Sequence, residues 1–249
     1  MKDQASVLRE TDDEARRQAR VLLRSARYGA LAVLDPETGF PSASRVLLGT
    51  DIDAVPVILV SGLSAHTRAL TADPRSSLLV GEPGKGDPLA YPRLSVQCLA
   101  ERIDRQASHH AHLRTRFLDR HAKAKLYVDF PDFCFFRLVP QSAGLNGGFA
   151  RAYVLPGSDL AIRAPLAEAF ARQASKAVRE LVGLHPGIAD DLAAKISGRS
   201  EAGWRVCGLD PAGLDLVSGD NLLRFEFDDP LPEEAHIISH ISKIAYSIP

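Results

Sequence analysis

The side chains best suited by type and spacing to do chemistry lie in one stretch, Ser61–Arg68 (SGLSAHTR). It holds hydroxyls at Ser61, Ser64 and Thr67, an imidazole at His66 and a guanidinium at Arg68. The apolar run Val55–Val60 precedes it and reads as a buried strand. Ser64 is placed to cap a short helix that ends before Pro74, after which Ser76–Val80 resumes as a strand. A strand that empties into a helix N-terminus presents unpaired backbone N–H groups, and the dipole there favours negative charge. Hydroxyls and a guanidinium fork make the stretch a candidate cradle for a phosphate or carboxylate. The same residues also fit a plain helix cap with Arg68 in water.

Arg45 is the second candidate. The turn Asp35–Gly39 folds strand Gly29–Leu34 against Phe40–Leu48, since Pro36 presets φ and Gly39 supplies positive φ. Alternation then puts Ser42, Ser44, Val46 and Leu48 on one face and Ala43, Arg45 and Leu47 on the other. An arginine among small and apolar neighbours calls for an anionic partner, or snorkels near a sheet edge. His109 and His112 are spaced i, i+3, as a metal pair can be, but no acidic or thiol ligand is spaced with them, and we assign no metal. The loop Gly81–Pro88 contains Gly-Lys without the glycine spacing of a P-loop, and no Ser or Thr follows Lys85. The chain also lacks G-x-S-x-G, H-E-x-x-H and a dinucleotide fingerprint.

These residues must be positioned by short strands and a few helices. Thr11–Glu14 has capping-box spacing, so a helix follows to about Arg27. Arg93–Ile103 alternates as a strand, Gln106–Asp119 reads as a helix, and Phe130–Val139 is an aromatic strand with Asp132 at its start. Gly144–Phe149 reads as a glycine loop and Ala150–Leu155 as a strand. This first part is barrel-like, rich in short strands joined by turns. Composition changes at Leu155–Asp159, which places a boundary there: one domain over 1–156 and a second over 157–249. The second carries helices Pro165–Val182, Pro186–Ile196 and Pro232–Tyr246, with strands Trp204–Leu209, Leu214–Val217 and Leu222–Phe227. It reads as α+β, helices packed on a three-stranded antiparallel sheet.

The 249 residues carry 45% hydrophobic and 24% charged side chains, globular values with ample core material. A net charge of −1 offers no basic field for nucleic acid. Cys98, Cys134 and Cys207 lie far apart and read as buried thiols in a reducing compartment. The charged N-terminus is unlike a signal peptide and no run approaches a membrane span, so the expected location is the cytoplasm, with no membrane partner.

The motif Ser61-x-x-Ser64-x-His66-Thr67-Arg68-x-Leu70-x-x-Asp73-Pro74-Arg75-x-Ser77-Leu78-Leu79 resembles the FMN-binding split barrels related to pyridoxamine 5′-phosphate oxidase. More narrowly it resembles their haem-utilisation, HugZ-type branch. Further pieces agree in order: Arg45-Val46-Leu47-Leu48; Asp87-Pro88-Leu89 then Arg93-Leu94-Ser95; Phe117-Leu118-x-Arg120-His121 with Tyr127; Asp132-Phe133; and Gly147-Gly148-Phe149-Ala150-Arg151-Ala152. The resemblance implies an α+β protein, an FMN-binding split β-barrel followed by a small α+β domain. It implies a homodimer with FMN or haem between the subunits, and an oxidoreductase role in haem-iron utilisation. A non-catalytic haem- or flavin-binding or regulatory protein in tetrapyrrole metabolism is the alternative. The cofactor-binding residues it implies are Arg45, Val46, Ser61, Ser64, His66, Thr67 and Arg68, and a late histidine, His240 or His236, would ligate haem iron. The chain departs from the vitamin-forming oxidases: it lacks their terminal arginine–histidine pair and ends Ile244-Ala245-Tyr246-Ser247-Ile248-Pro249.

Overall fold

Helix α1 (Asp13–Ser25) starts where the Asp12 carboxylate accepts a hydrogen bond from the Ala15 amide at 2.8 Å. The computed structural model describes residues 8–148, 151–198 and 201–231. Asp12, rather than Thr11, is the cap, because the Thr11 hydroxyl donates to the Val154 carbonyl. The chain then runs through β1 (Tyr28–Leu34), β2 (Pro41–Thr50), β3 (Pro56–Ser61), α2 (Ala65–Ala72), β4 (Arg75–Val80) and β5 (Arg93–Ile103). It continues through α3 (His110–Arg120), β6 (Phe133–Asn146), β7 (Ala152–Pro156), α4 (Ala164–Leu184), α5 (Ile188–Ser197), β8 (Arg205–Asp210), β9 (Gly213–Ser218) and β10 (Asn221–Glu226).

Seven strands form one antiparallel sheet in the order β3-β2-β1-β4-β5-β6-β7. Pairing of β3 with β6 closes six of them into a barrel, with β7 added outside β6. The inward residues are those the alternation selects, among them Leu31, Val33, Val46, Leu48, Leu78, Val80, Leu94 and Val96, and α1 and α2 add Leu23, Ala69 and Leu70 to the same core. Helix α3 covers the outside of β3, β5 and β6 through Leu113 and Phe117, which meet Val57, Leu59, Ile103 and Phe135.

Two elements differ from the sequence reading. Strand β6 starts at Phe133 and runs on through Pro140 to Asn146, so Gly144, Leu145 and Asn146 belong to a strand. Proline is tolerated there because the ladder with β5 shifts register at Gln97/Cys98, where a bulge relieves the missing N–H. Helix α3 begins at His110, because Asp104–Gln106 is held as a turn by the Asp104 carboxylate accepting from the Gln106 amide.

The chain divides into two compact units, one taking in residues up to Asp51 and Val55–Ala161, the other Ile52–Ala54 and the chain from Ile162 on. The second contains α4, α5 and a three-stranded antiparallel sheet in the order β10-β9-β8. Its core gathers Leu181, Ile188, Leu192, Leu209, Leu214 and Leu216, and Ile52 packs into it. Inside that unit Arg224 is buried with three carboxylates: Asp210 at 2.7 Å, Glu226 at 2.9 Å and Asp215 at 3.2 Å. The expected helix Pro232–Tyr246 lies outside the described residues.

Candidate functional site

The barrel is closed unevenly. Among the described residues β2 pairs with β3 only at Leu48↔Ile58, Gly49↔Val57 and Thr50↔Pro56. From there Pro41–Leu47 follows β1, while Leu59–Ser61 follows β6. The two strands part, and the chain leaving β3 turns through Gly62–Ser64 into α2. Arg45 stands on the diverging part of β2 and Ser61–Arg68 on the chain that leaves β3.

Arg45 is exposed and its guanidinium lies 5.2 Å from the centre of the Tyr28 ring. The hairpin register explains this: Arg45 pairs with Ala30 and Leu47 with Tyr28, so all four share the barrel's outer face. A cation over an aromatic face is held without a counter-ion, and its N–H groups stay available to an anion. Val46 points the other way, into the barrel core, so only its backbone faces the diverging strands.

The turn after β3 is held by its own hydroxyls. The Ser61 hydroxyl donates to the Asp132 carboxylate at 2.6 Å and accepts from the Leu63 amide. The Ser64 and Thr67 hydroxyls each donate to the Ser61 carbonyl at 2.7 Å and lie 2.8 Å apart. Ser64 therefore occupies the cap position of α2 without capping it through its side chain. These hydroxyl protons are committed to shaping the turn. Beside these hydroxyls stand the exposed Arg68 guanidinium, whose hydrogen bond among the described residues is a long 3.4 Å contact to the Leu63 carbonyl, and the Ala65 and His66 amides of the first helical turn. Positive potential reaches beyond the turn: Asp35, whose carboxylate sits below its ordinary range chiefly through its bonds to Thr38, also feels Arg68. His66 is half-buried, and burial lowers its pKa, which keeps the imidazole neutral near pH 7.

Arg45 thus stands on β2 beyond its pairing with β3, and Ser61, Ser64, His66, Thr67 and Arg68 run from the end of β3 through the turn into α2. His236 and His240 lie outside the described residues. Among the described residues no group of three metal-ligating side chains comes together. His110 packs edge-on to Phe135, and buried His121 bonds the Leu48 carbonyl at 2.7 Å. Sequence reasoning missed Tyr28 beneath Arg45, although counting back from the Asp35–Gly39 turn puts the two near each other. It also missed the Ser61–Asp132 bond, which needs the β3–β6 pairing of residues 71 apart.

Residues 15–146 match the family model described as pyridoxamine 5′-phosphate oxidase. The chain belongs to that family. Across 96% of both chains, family resemblance extends to the protein Atu2129 (unknown function) of Agrobacterium tumefaciens str. C58, at 30% identity and a TM-score of 0.80. A heme binding protein from Mycobacterium smegmatis is 27% identical with a TM-score of 0.56, over 96% of this chain and 100% of that one. The non-canonical heme oxygenase HOZ of Arabidopsis thaliana chloroplasts is 31% identical over 141 residues, 56% of this chain and 42% of that protein. The chain therefore spans less than half the length of that curated relative. No helix among the described residues is long and apolar enough to cross a membrane.

Proposed function

We propose that this family member is a haem-handling oxidoreductase, a homodimer whose split barrel takes the anionic groups of a haem, or of FMN, between Arg45 and the α2 turn. The observation that carries the reading is the pair of exposed guanidiniums, Arg45 and Arg68, on the two sides of the β2–β3 divergence. Both keep donors free for carboxylate or phosphate oxygens, and the Ala65 and His66 amides add two more at a helix N-terminus. This donor set fits propionates and a flavin phosphate alike. The named relatives favour haem, since two of the three are described by haem binding or haem oxygenation.

When bound, the cofactor supplies the redox chemistry; this chain's residues hold its anionic groups and restrict water around it. Asp132 and the hydroxyls of Ser61, Ser64 and Thr67 fix the turn that aims Arg68. Neutral His66, in the same turn of helix, would be one candidate to ligate a haem iron, with His236 and His240 as the others. A second copy of the chain completes the walls that one barrel leaves open.

Arg45→Ala and Arg68→Ala test the reading by titration with haemin and with FMN. Loss of a charge-assisted contact of about 1.5–3 kcal/mol weakens binding by about ten- to a hundredfold in each variant. Unchanged affinity for both ligands in both variants would sink it.

A further inference from the structure

Tyr28 has no part in the reading above, yet the β1–β2 ladder sets it beside Arg45. At one end of that ladder the Leu48 amide donates to the Arg27 carbonyl at 2.9 Å, and at the other the Asp35 amide donates to the Phe40 carbonyl at 2.9 Å. The register between them is unbroken. Alternation from either end makes Tyr28↔Leu47 and Ala30↔Arg45 non-hydrogen-bonded pairs, the closer kind, with Cα atoms about 4.5 Å apart. Ala30, opposite Arg45, carries only a methyl group. The Arg45 side chain therefore has room to reach diagonally past it, and its guanidinium lies over the Tyr28 ring, 5.2 Å from the centre.

The ring is the fixed member of this contact. A Cβ added at Gly29 would stand 2.9 Å from the Leu78 side chain and 3.0 Å from the Leu79 carbonyl, so β1 lies tight against β4 just after Tyr28. Just before it, the Ala26 carbonyl accepts from the Arg120 guanidinium at 2.7 Å. Tyr28 is half-buried, whereas Arg45 is exposed. An exposed arginine with no such contact samples many rotamers, and an anion that binds it must first restrict them. A carboxylate could restrict them too, but it would compete with the ligand for the same N–H groups. An aromatic face holds the cation and leaves its charge and donors to the ligand.

We infer that Tyr28 is a positioning residue for Arg45: its ring holds the guanidinium where it meets the anionic group of the ligand. The inference rests on the reading of Arg45 as an anion-binding residue. Tyr28 acts through Arg45, by the quadrupole of its ring rather than by its hydroxyl.

Haemin and FMN titrations of Tyr28→Leu, Tyr28→Phe, Arg45→Ala and the Tyr28→Leu/Arg45→Ala double variant test this, with folding checked by circular dichroism. Tyr28→Leu should weaken binding about two- to fivefold, the range of a cation over a ring at an exposed site. Tyr28→Phe should restore wild-type affinity. In the Arg45→Ala background Tyr28→Leu should change nothing further, because the ring then has no guanidinium to hold. A second readout needs no ligand. The heteronuclear NOE of the Arg45 Nε–H, assigned by its loss in Arg45→Ala, should be high in the wild type and in Tyr28→Phe and should fall in Tyr28→Leu. An NOE that is equal in the wild type and Tyr28→Leu overturns the inference. So does a Tyr28→Leu effect of the same size with and without Arg45, which would make the ring a direct contact or a purely structural one. Tyr28→Leu at wild-type affinity beside a weakened Arg45→Ala overturns the inference alone. Arg45→Ala at wild-type affinity for both ligands overturns the reading of the site, and the inference with it.

Discussion

At the scale of single residues, burial and hydrogen bonding decide what each titratable group can do. His121 is buried against Phe117 with Nε2 on the Leu48 carbonyl. Burial pushes its pKa down to about 4 from the ordinary 6.5. The folded chain thus disfavours the imidazolium, and protons bind the unfolded chain more readily. Stability is full above pH 6.5 and falls as the pH drops toward 4, by up to about 3 kcal/mol from this group. His121→Gln should flatten that part of a plot of unfolding free energy against pH, while costing stability at pH 7. A slope between pH 6.5 and 4 unchanged in the variant would contradict the assignment. Thr67→Val is a second test at this scale: removing one of the two hydroxyls on the Ser61 carbonyl should lower stability by about 1 kcal/mol in a denaturant titration. The residue types of this turn were legible in the sequence. Their bonds were not, because the Ser61 partner Asp132 lies 71 residues away, in the turn that leads into β6.

Elements were more legible than bonds, since period and turn chemistry are local. The hairpin β1–β2, strand β5 and the hairpin β8–β9 stand where alternation and turn residues put them. The exceptions have tertiary causes. Strand β6 runs past Pro140 because a bulge absorbs it, and local punctuation gives no sign of that. Packing of α3 on β2 is another non-local fact. A Cβ added at Gly49 would stand 2.8 Å from the buried Phe117 ring. Gly49→Ala should therefore cost about 1–3 kcal/mol, seen as a lower Tm, and no loss would mean that α3 does not rest there. Ala54, in the β2–β3 connection, has φ of 66°, in the left-handed region. Ala54→Gly relieves a strain of about 1–2 kcal/mol and returns about 0.5–1 of it as unfolded-chain entropy, so Tm should hold or rise slightly.

For the whole molecule, the two units carry different kinds of stability. The barrel unit buries Arg120 against backbone carbonyls, at Arg24 and Ala26, whereas the second unit buries Arg224 among three carboxylates. Arg224→Met leaves those carboxylates without their shared guanidinium and should cost about 3–5 kcal/mol in unfolding of the full chain. Nothing local flagged this arginine, because its partners come from β8, β9 and β10 together. Family and barrel architecture were readable from ordered motif fragments, since these fix the turns and inward faces of a closed sheet. The ligand was not readable, because a guanidinium serves a propionate and a phosphate equally well. The most direct test of the central claim is an absorption spectrum of the purified chain, alone and with added haemin or FMN, taken after gel filtration. A shifted Soret band, or a flavin band, travelling with a dimer-sized peak is the predicted result. A chain that elutes with neither band after both additions would contradict a cofactor role for the divergence between β2 and β3.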